Sequence, residues 1–193
     1  MKPPLIQGSS NDFQTPNIAI DPLLPYLRKE WVIWECACGK GNIVNYLSNQ
    51  GFLVEGTDKL TRHDFLSWSP DKFDCIITNP PYSIKQKFLE RCYKLGKPFA
   101  LLLPLTTFET KKRQDLFRQN GVEVIMFPFR INFETPSGRG SGSWFATAWF
   151  TWGLNIGKQL TFLDTTNNQK LEIAKCRIDS VKVEKNSLKG LIK

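Results

Sequence analysis

The sequence predicts an α/β fold: a doubly wound, mostly parallel sheet of seven strands with a short C-terminal extension. Three observations carry this reading. Short apolar runs alternate with helix-period segments between Trp31 and Trp152, the pattern of successive βα units. The early runs lack clean polar alternation, as strands covered on both faces do. Gly or Pro follows most runs and helices and supplies the stops between them.

Taken in order, Asp21-Pro22 reads as a helix start, with proline tolerated in the first turn. Trp31 to Glu35 is a first strand, ended by Gly39 and Gly41. Asn42 to Asn49 places Ile43, Val44 and Leu47 on one helical face, and Gly51 stops it. Phe52 to Thr57 is a second strand ending at Asp58, and a third is expected in the short stretch before Asp64. Phe73 to Thr78 is the next strand, ending at Asn79-Pro80-Pro81-Tyr82. Ser83 and Gln86 have the spacing of a capping box and are expected to open a helix to about Leu95, closed by Gly96. Phe99 to Leu103 is a buried strand stopped by Pro104. A helix from about Phe108 to Asn120, a sixth strand from Val122 to Phe127 and a long aromatic strand from Trp144 to Trp152 complete the sheet. The last is expected to run antiparallel. Thr135 to Ser143 is Gly/Ser-rich, carries Arg139 and is expected to be a mobile loop. The domain is placed at 1–157, followed by a basic extension at 158–193 with eight Lys/Arg and four Asp/Glu.

The 193 residues are 41% hydrophobic, enough for one domain with a full core. No apolar run approaches the ~18 residues of a membrane span, and the N-terminus has no apolar leader segment, so a soluble cytoplasmic protein without a membrane partner is expected. Five scattered cysteines do not suggest a disulfide framework, and one histidine supplies a structural zinc site poorly. A net charge of +8 favours a polyanionic partner.

Chemistry concentrates in two places. The first is Asn79-Pro80-Pro81-Tyr82. A polar amide lies at the carboxyl end of a strand, the edge where open α/β sheets bind ligands. The prolines remove two backbone donors and fix φ, so carbonyls are free to face a ligand. The Asn79 oxygen and the Pro80 carbonyl are then placed to accept both hydrogens of an amino group, and Tyr82 offers a face to a planar base. The second is Glu35-Cys36-Ala37-Cys38-Gly39-Lys40-Gly41, a Gly-x-Gly turn between strand and helix, with the strand-end acid Asp58 19 residues after Gly39. A ribose-binding acid lies at about that distance in dinucleotide-binding folds. A nicotinamide enzyme would need a third glycine, but Asn42-Ile43-Val44 follows Gly41, and it would leave Asn79 to Tyr82 unexplained.

These segments resemble the class I S-adenosylmethionine-dependent amino-methyltransferases, which have a Rossmann-like fold, and in particular the DNA N6-adenine type. The resemblance covers roughly the first 150 residues. Asn79 to Tyr82 matches the family's Asn/Asp/Ser-Pro-Pro-Tyr motif, which implies catalytic roles for Asn79, Pro80, Pro81 and Tyr82. Glu35 to Gly41 matches the cofactor loop, with Cys36 where the family has proline. The resemblance implies S-adenosylmethionine as cofactor, held by Thr15, Glu35, Cys36, Gly39, Asp58, Asp64, Phe65 and Asn79. Thr15 belongs to a leading motif, Asp12 to Pro16, that covers the methionine end; Asp64 and Phe65 hold the adenine. Tyr82, Phe133 and Arg139 are the expected substrate contacts, with Phe133 chosen over Phe129 and Phe145 as the ring that stacks on a flipped base. Direct methyl transfer implies no metal. The family's large recognition domain is missing, which leaves the Thr135 to Ser143 loop and the basic extension to meet DNA or, less favoured, RNA. A homodimer or a separate specificity partner would fill the gap. Protein glutamine methyltransferases carry the same four residues, and a cofactor-binding subunit that needs a partner is a further alternative.

Overall fold

The computed structural model describes residues 14–133, 141–142 and 145–164. The main sheet has seven strands: β1 (Val32–Glu35), β2 (Leu53–Gly56), β3 (Cys75–Thr78), β4 (Phe99–Pro104), β5 (Glu123–Met126), β8 (Thr147–Trp152) and β9 (Leu160–Phe162). A separate two-stranded ribbon pairs β6 (Asn132–Phe133) with β7 (Ser141–Gly142). The main sheet has the order β2-β1-β3-β4-β8-β5-β9. Only β8 runs antiparallel, wedged between β4 and β5. The expected mostly parallel seven-stranded α/β sheet is therefore present.

Alternation along each strand sorts the core into two layers, because successive side chains point to opposite faces. Ile33, Cys75, Ile77, Leu102, Ile125 and Trp149 face one layer with α1 (Asn17–Ile20) and α2 (Asn42–Asn49). Trp34, Ile76, Leu101, Leu103, Val124 and Phe150 face the other, with α3 (Lys85–Leu95) and α4 (Lys111–Asn120). Burial of each such large apolar side chain contributes ~1.5–3 kcal/mol. Buried tryptophans need partners for their N–H groups. Trp149 Nε1 donates to the Ala19 carbonyl at 2.6 Å and fixes α1 to the sheet, while Trp34 Nε1 donates to Thr57 Oγ1 at 2.8 Å and joins β1 to the end of β2.

Four local expectations fail for identifiable reasons. No strand precedes Asp64. Asp58 instead caps a 3-10 turn at Lys59–Thr61, with Thr61 bonding back to it, and Arg62 takes φ 68°. The seventh strand is β9, from residues assigned to the extension, paired in parallel with β5. Ser83 does not cap α3: a 3-10 turn over Tyr82–Ile84 puts it inside the turn, and Ile84 holds the cap position. Ser141–Gly142 forms a strand rather than loop. Arg139, Trp144 and residues 165–193 lie outside the described residues. Among the described residues no helix is long and apolar enough to cross a membrane.

Candidate cofactor and catalytic cleft

The chain leaves β1 for β2 on one side and returns to β3 on the other, so a topological switch point falls between β1 and β3. Ligand crevices of open α/β sheets lie outside the carboxyl ends of strands at such points. A cleft with about 460 Å³ of open space occupies this place. Its lining includes Glu35 from the end of β1, Asp58 beyond β2, and Asn79 and Pro81 beyond β3, with Thr15 and Gly39 above them.

Glu35 is the floor. It is 0% exposed, and Thr78 Oγ1 and the Ala37 N–H both donate to its Oε1. Its Oε2 is buried and finds no hydrogen-bond partner among the described residues. Burial pushes the carboxyl up to about 8, against the two hydrogen bonds, which favour the ionised form. A buried polar atom with no partner costs about 1–3 kcal/mol, and this one belongs to a residue that lines the cleft.

The loop above is built around Gly39. Its φ of +49° suits glycine, and a Cβ there would stand 2.9 Å from Gln14 Nε2. The Gly39 N–H donates to Asp58 Oδ2 at 3.1 Å, so the loop and the strand-end acid are directly coupled across their 19-residue separation. Asp58 Oδ1 accepts from the Leu60 N–H. Backbone bonds from Cys38 N to Thr57 O and from Thr57 N to Glu35 O hold the two strand ends together.

Five of the eight expected cofactor residues thus line one cleft: Thr15, Glu35, Gly39, Asp58 and Asn79. Three do not. Cys36 follows Glu35 and points the opposite way, 2% exposed, into the layer packed by α3 and α4, where burial pushes its thiol well up. Cys38 lines the cleft in its place. Asp64 bonds the Leu66 N–H and pairs with Lys59 at 3.0 Å, contacts that hold its carboxyl below the usual range. Phe65 is 2% exposed and stacks on Phe88 with centroids 4.5 Å apart, so it is a core ring. Both lost their expected place when the chain turned at Asp58 instead of forming a strand.

On the substrate side, Asn79 is half-buried, Pro80 is buried and Pro81 borders the cleft. The Tyr82 hydroxyl is buried without a hydrogen-bond partner, and burial pushes its pKa up. Phe133 is 2% exposed within the α1-side core, which leaves no free face for stacking. Phe145 instead meets Tyr82, edge to face, with centroids 5.6 Å apart. Gln14, Ala37, Cys38, Asn42 and Ile43 also line the cleft, and none was singled out as a contact from the sequence. Gln14 lies in the leading motif, Ala37 and Cys38 lie in the cofactor loop, and Asn42 and Ile43 open the helix after the glycine turn, so each had a signal in the sequence.

No family model matches the sequence, and no curated protein does. Among the solved structures that share its architecture are two methyltransferase-fold proteins. A methyltransferase subunit of a type I restriction-modification system from Streptococcus thermophilus aligns over 86% of this chain with a TM-score of 0.55 and 16% identity. This chain spans 52% of that subunit's length. A protein from Listeria monocytogenes named for the class I S-adenosylmethionine-dependent methyltransferases aligns over 84% of this chain and 70% of its own, also with a TM-score of 0.55 and 16% identity. The chain therefore has the Rossmann-like α/β fold of these two proteins.

Proposed function

We propose that the chain is an S-adenosylmethionine-dependent methyltransferase that modifies an exocyclic amino group, with N6 of adenine in DNA the favoured target. One observation carries the reading: the two sequence signals, Glu35 to Gly41 and Asn79 to Tyr82, meet in a single cleft at the switch point. The similar fold of a restriction-modification methyltransferase subunit supports a nucleic-acid substrate by analogy of fold.

The residues present fit the cofactor. The orphaned Glu35 Oε2 suits a cationic amino group, the Gly39 turn permits close backbone approach, and Asp58 suits ribose hydroxyls. Thr15, 3% exposed at the cleft wall, suits the carboxylate end. When bound, S-adenosylmethionine supplies an electrophilic methyl group on a sulfonium. The chain's own work is positioning. Asn79 Oδ1 and the Pro80 carbonyl accept the two amino hydrogens, which turns the nitrogen lone pair toward the cofactor side of the cleft. Tyr82 and Phe145 grip the ring of a base taken out of its stack. After transfer, the nitrogen releases one proton to water past Asn79.

Incubation of the protein with methyl-labelled cofactor and DNA, RNA or protein, followed by digestion and identification of the methylated product, tests this. N6-methyladenine from DNA is expected. Asn79→Ala should lower the single-turnover rate by about 10²–10³ while circular dichroism stays unchanged. Labelled methylglutamine, or near wild-type turnover by folded Asn79→Ala, would overturn the reading.

A further inference from the structure

We propose that the segment from Tyr82 to Asn120 forms the face that holds the sugar–phosphate backbone of the substrate, with Lys85 and Arg113 taking a phosphate beside the target nucleotide. The proposal rests on the nucleic-acid reading of the cleft.

Charge is the first observation. Residues 82–120 hold nine Lys/Arg against three Asp/Glu, a local +6 out of +8 for the whole chain. This segment contains α3 and α4, which pack on the same layer of the sheet. Each enters from the carboxyl end of a parallel strand, β3 or β4, so both helices begin at the edge that carries the cleft.

The second observation separates neutralised cations from available ones. Lys111 and Arg118 pair with Asp115, and Lys112 pairs with Glu90. Lys85, Lys87, Arg91, Lys94, Lys97 and Arg113 make no ion pair among the described residues, and of these Lys85 and Arg113 are held by carbonyls at the strand-end side of α3 and α4, as Arg91 is by Trp68 further along α3. Lys85 Nζ donates to the Tyr82 carbonyl at 3.2 Å. Arg113 Nε donates to the Thr107 carbonyl at 2.5 Å and Nη2 to the Thr106 carbonyl at 3.2 Å. These two cations are thus fixed by backbone near the starts of α3 and α4.

They also feel each other. Burial lowers the Lys85 ammonium, and Arg113 lowers it further, while Glu109 opposes this only as a third influence. Like charges held close, without a carboxylate joined to them, are relieved by an anion that bridges both. A phosphate accepts from a guanidinium fork and from an ammonium together. The Lys85 anchor is the carbonyl of Tyr82 itself, so an anion bound here lies next to the residue that grips the base.

Fluorescence anisotropy of a labelled adenine-containing oligonucleotide across a salt series tests the assignment, with the full chain as wild type, Lys85→Gln/Arg113→Gln, and Lys158→Gln as an exposed control outside the segment. Loss of one phosphate contact should reduce the slope of log affinity against log salt by about 0.7–0.9 and weaken low-salt binding roughly tenfold. Arg113→Lys should keep the slope. Calorimetric affinity for S-adenosylmethionine should not change in any variant, which also controls for folding. An unchanged slope in the double variant, with oligonucleotide methylation intact, would overturn the surface assignment alone. Failure of the wild type to bind oligonucleotide, with methylation of an acidic protein instead, would overturn this proposal together with the nucleic-acid reading.

Discussion

Replacement of Glu35 by Gln should stabilise the free protein near neutral pH and weaken its hold on the cofactor. The carboxyl is fully buried, and burial raises it from 4.5 to about 8. Between those values the folded state keeps a proton that the unfolded state has lost. Stability must then fall as pH rises through that window, by ~1.4 kcal/mol per pH unit. The stabilising share is complete below pH 4.5. It is reduced by about 3 kcal/mol at pH 7 and by on the order of 5 kcal/mol above pH 8. Gln keeps the shape, and its amide oxygen can accept from Thr78 and Ala37 as Oε1 does. Denaturant unfolding of both proteins from pH 5 to 8.5 reads the difference directly. The variant should gain on the wild type by roughly 4 kcal/mol across this range. Parallel pH profiles would refute the buried, protonated carboxyl.

Cofactor binding supplies the complementary measurement. A cationic amino group at Oε2 favours the carboxylate, so the wild type should release close to one proton on binding at pH 7. Calorimetry in buffers of different ionisation enthalpy detects that proton. In Glu35→Gln the release should vanish, and affinity should fall by ~1.5–3 kcal/mol, the worth of a charged hydrogen bond. Wild-type affinity in the variant would remove Glu35 from the cofactor site.

Two further predictions separate neighbouring roles. Asp58→Ala removes the acceptor for the Gly39 and Leu60 N–H groups and should weaken cofactor binding by about 1–3 kcal/mol; unchanged calorimetric affinity would exclude the ribose role. Phe145→Ala should raise the oligonucleotide KM by the ~1–3 kcal/mol of one stacking contact with little change in stability, whereas Phe133→Ala should cost ~3–5 kcal/mol of unfolding free energy. A substrate effect at Phe133 and a stability effect at Phe145 would reverse the assignment of the two rings.

Periodicity made the central elements legible. Cys75–Thr78, Phe99–Pro104 and Thr147–Trp152 are buried on both faces, and a run of apolar side chains is the direct expression of that burial. The pair Gly39 and Asp58 was legible from spacing because each lies in the turn that follows one of two neighbouring parallel strands. What failed depended on contacts that no window of sequence contains. The turn after Asp58 is decided by its own side chain, which bonds Leu60 N and outcompetes an extended conformation. Strand β9 is three residues long and exposes Leu160 and Phe162, and its place is set by β5. The Glu35–Thr78 contact spans 43 residues and exists only because β1 and β3 are neighbours at the switch point. Phe133 and Phe145 have the same local character, and only tertiary packing decides which is core.

The distribution of unpaired polar atoms ties the fold to its use. Among the described residues, buried polar atoms without a hydrogen-bond partner include Glu35 Oε2, the Tyr82 hydroxyl, Arg91 Nε, Thr107 Oγ1, Thr147 Oγ1 and Thr161 Oγ1. Glu35 ends β1, Tyr82 follows β3, Thr107 follows β4, and Thr147 begins the antiparallel β8, so these four belong to the same edge of the sheet, whereas Arg91 lies on α3 and Thr161 within β9. Each such group costs about 1–3 kcal/mol. A core arranged for stability alone would place apolar or paired groups there, as the two layers beneath do. Local departures of this kind gather where a protein meets a ligand, because the ligand's polar groups complete the bonds. Ligands that fill this edge must then stabilise the fold in proportion to their affinity, by about 2.7 kcal/mol at a hundredfold excess over Kd. Most of the unsatisfied groups thus gather at the edge that the proposed cofactor and substrate would complete.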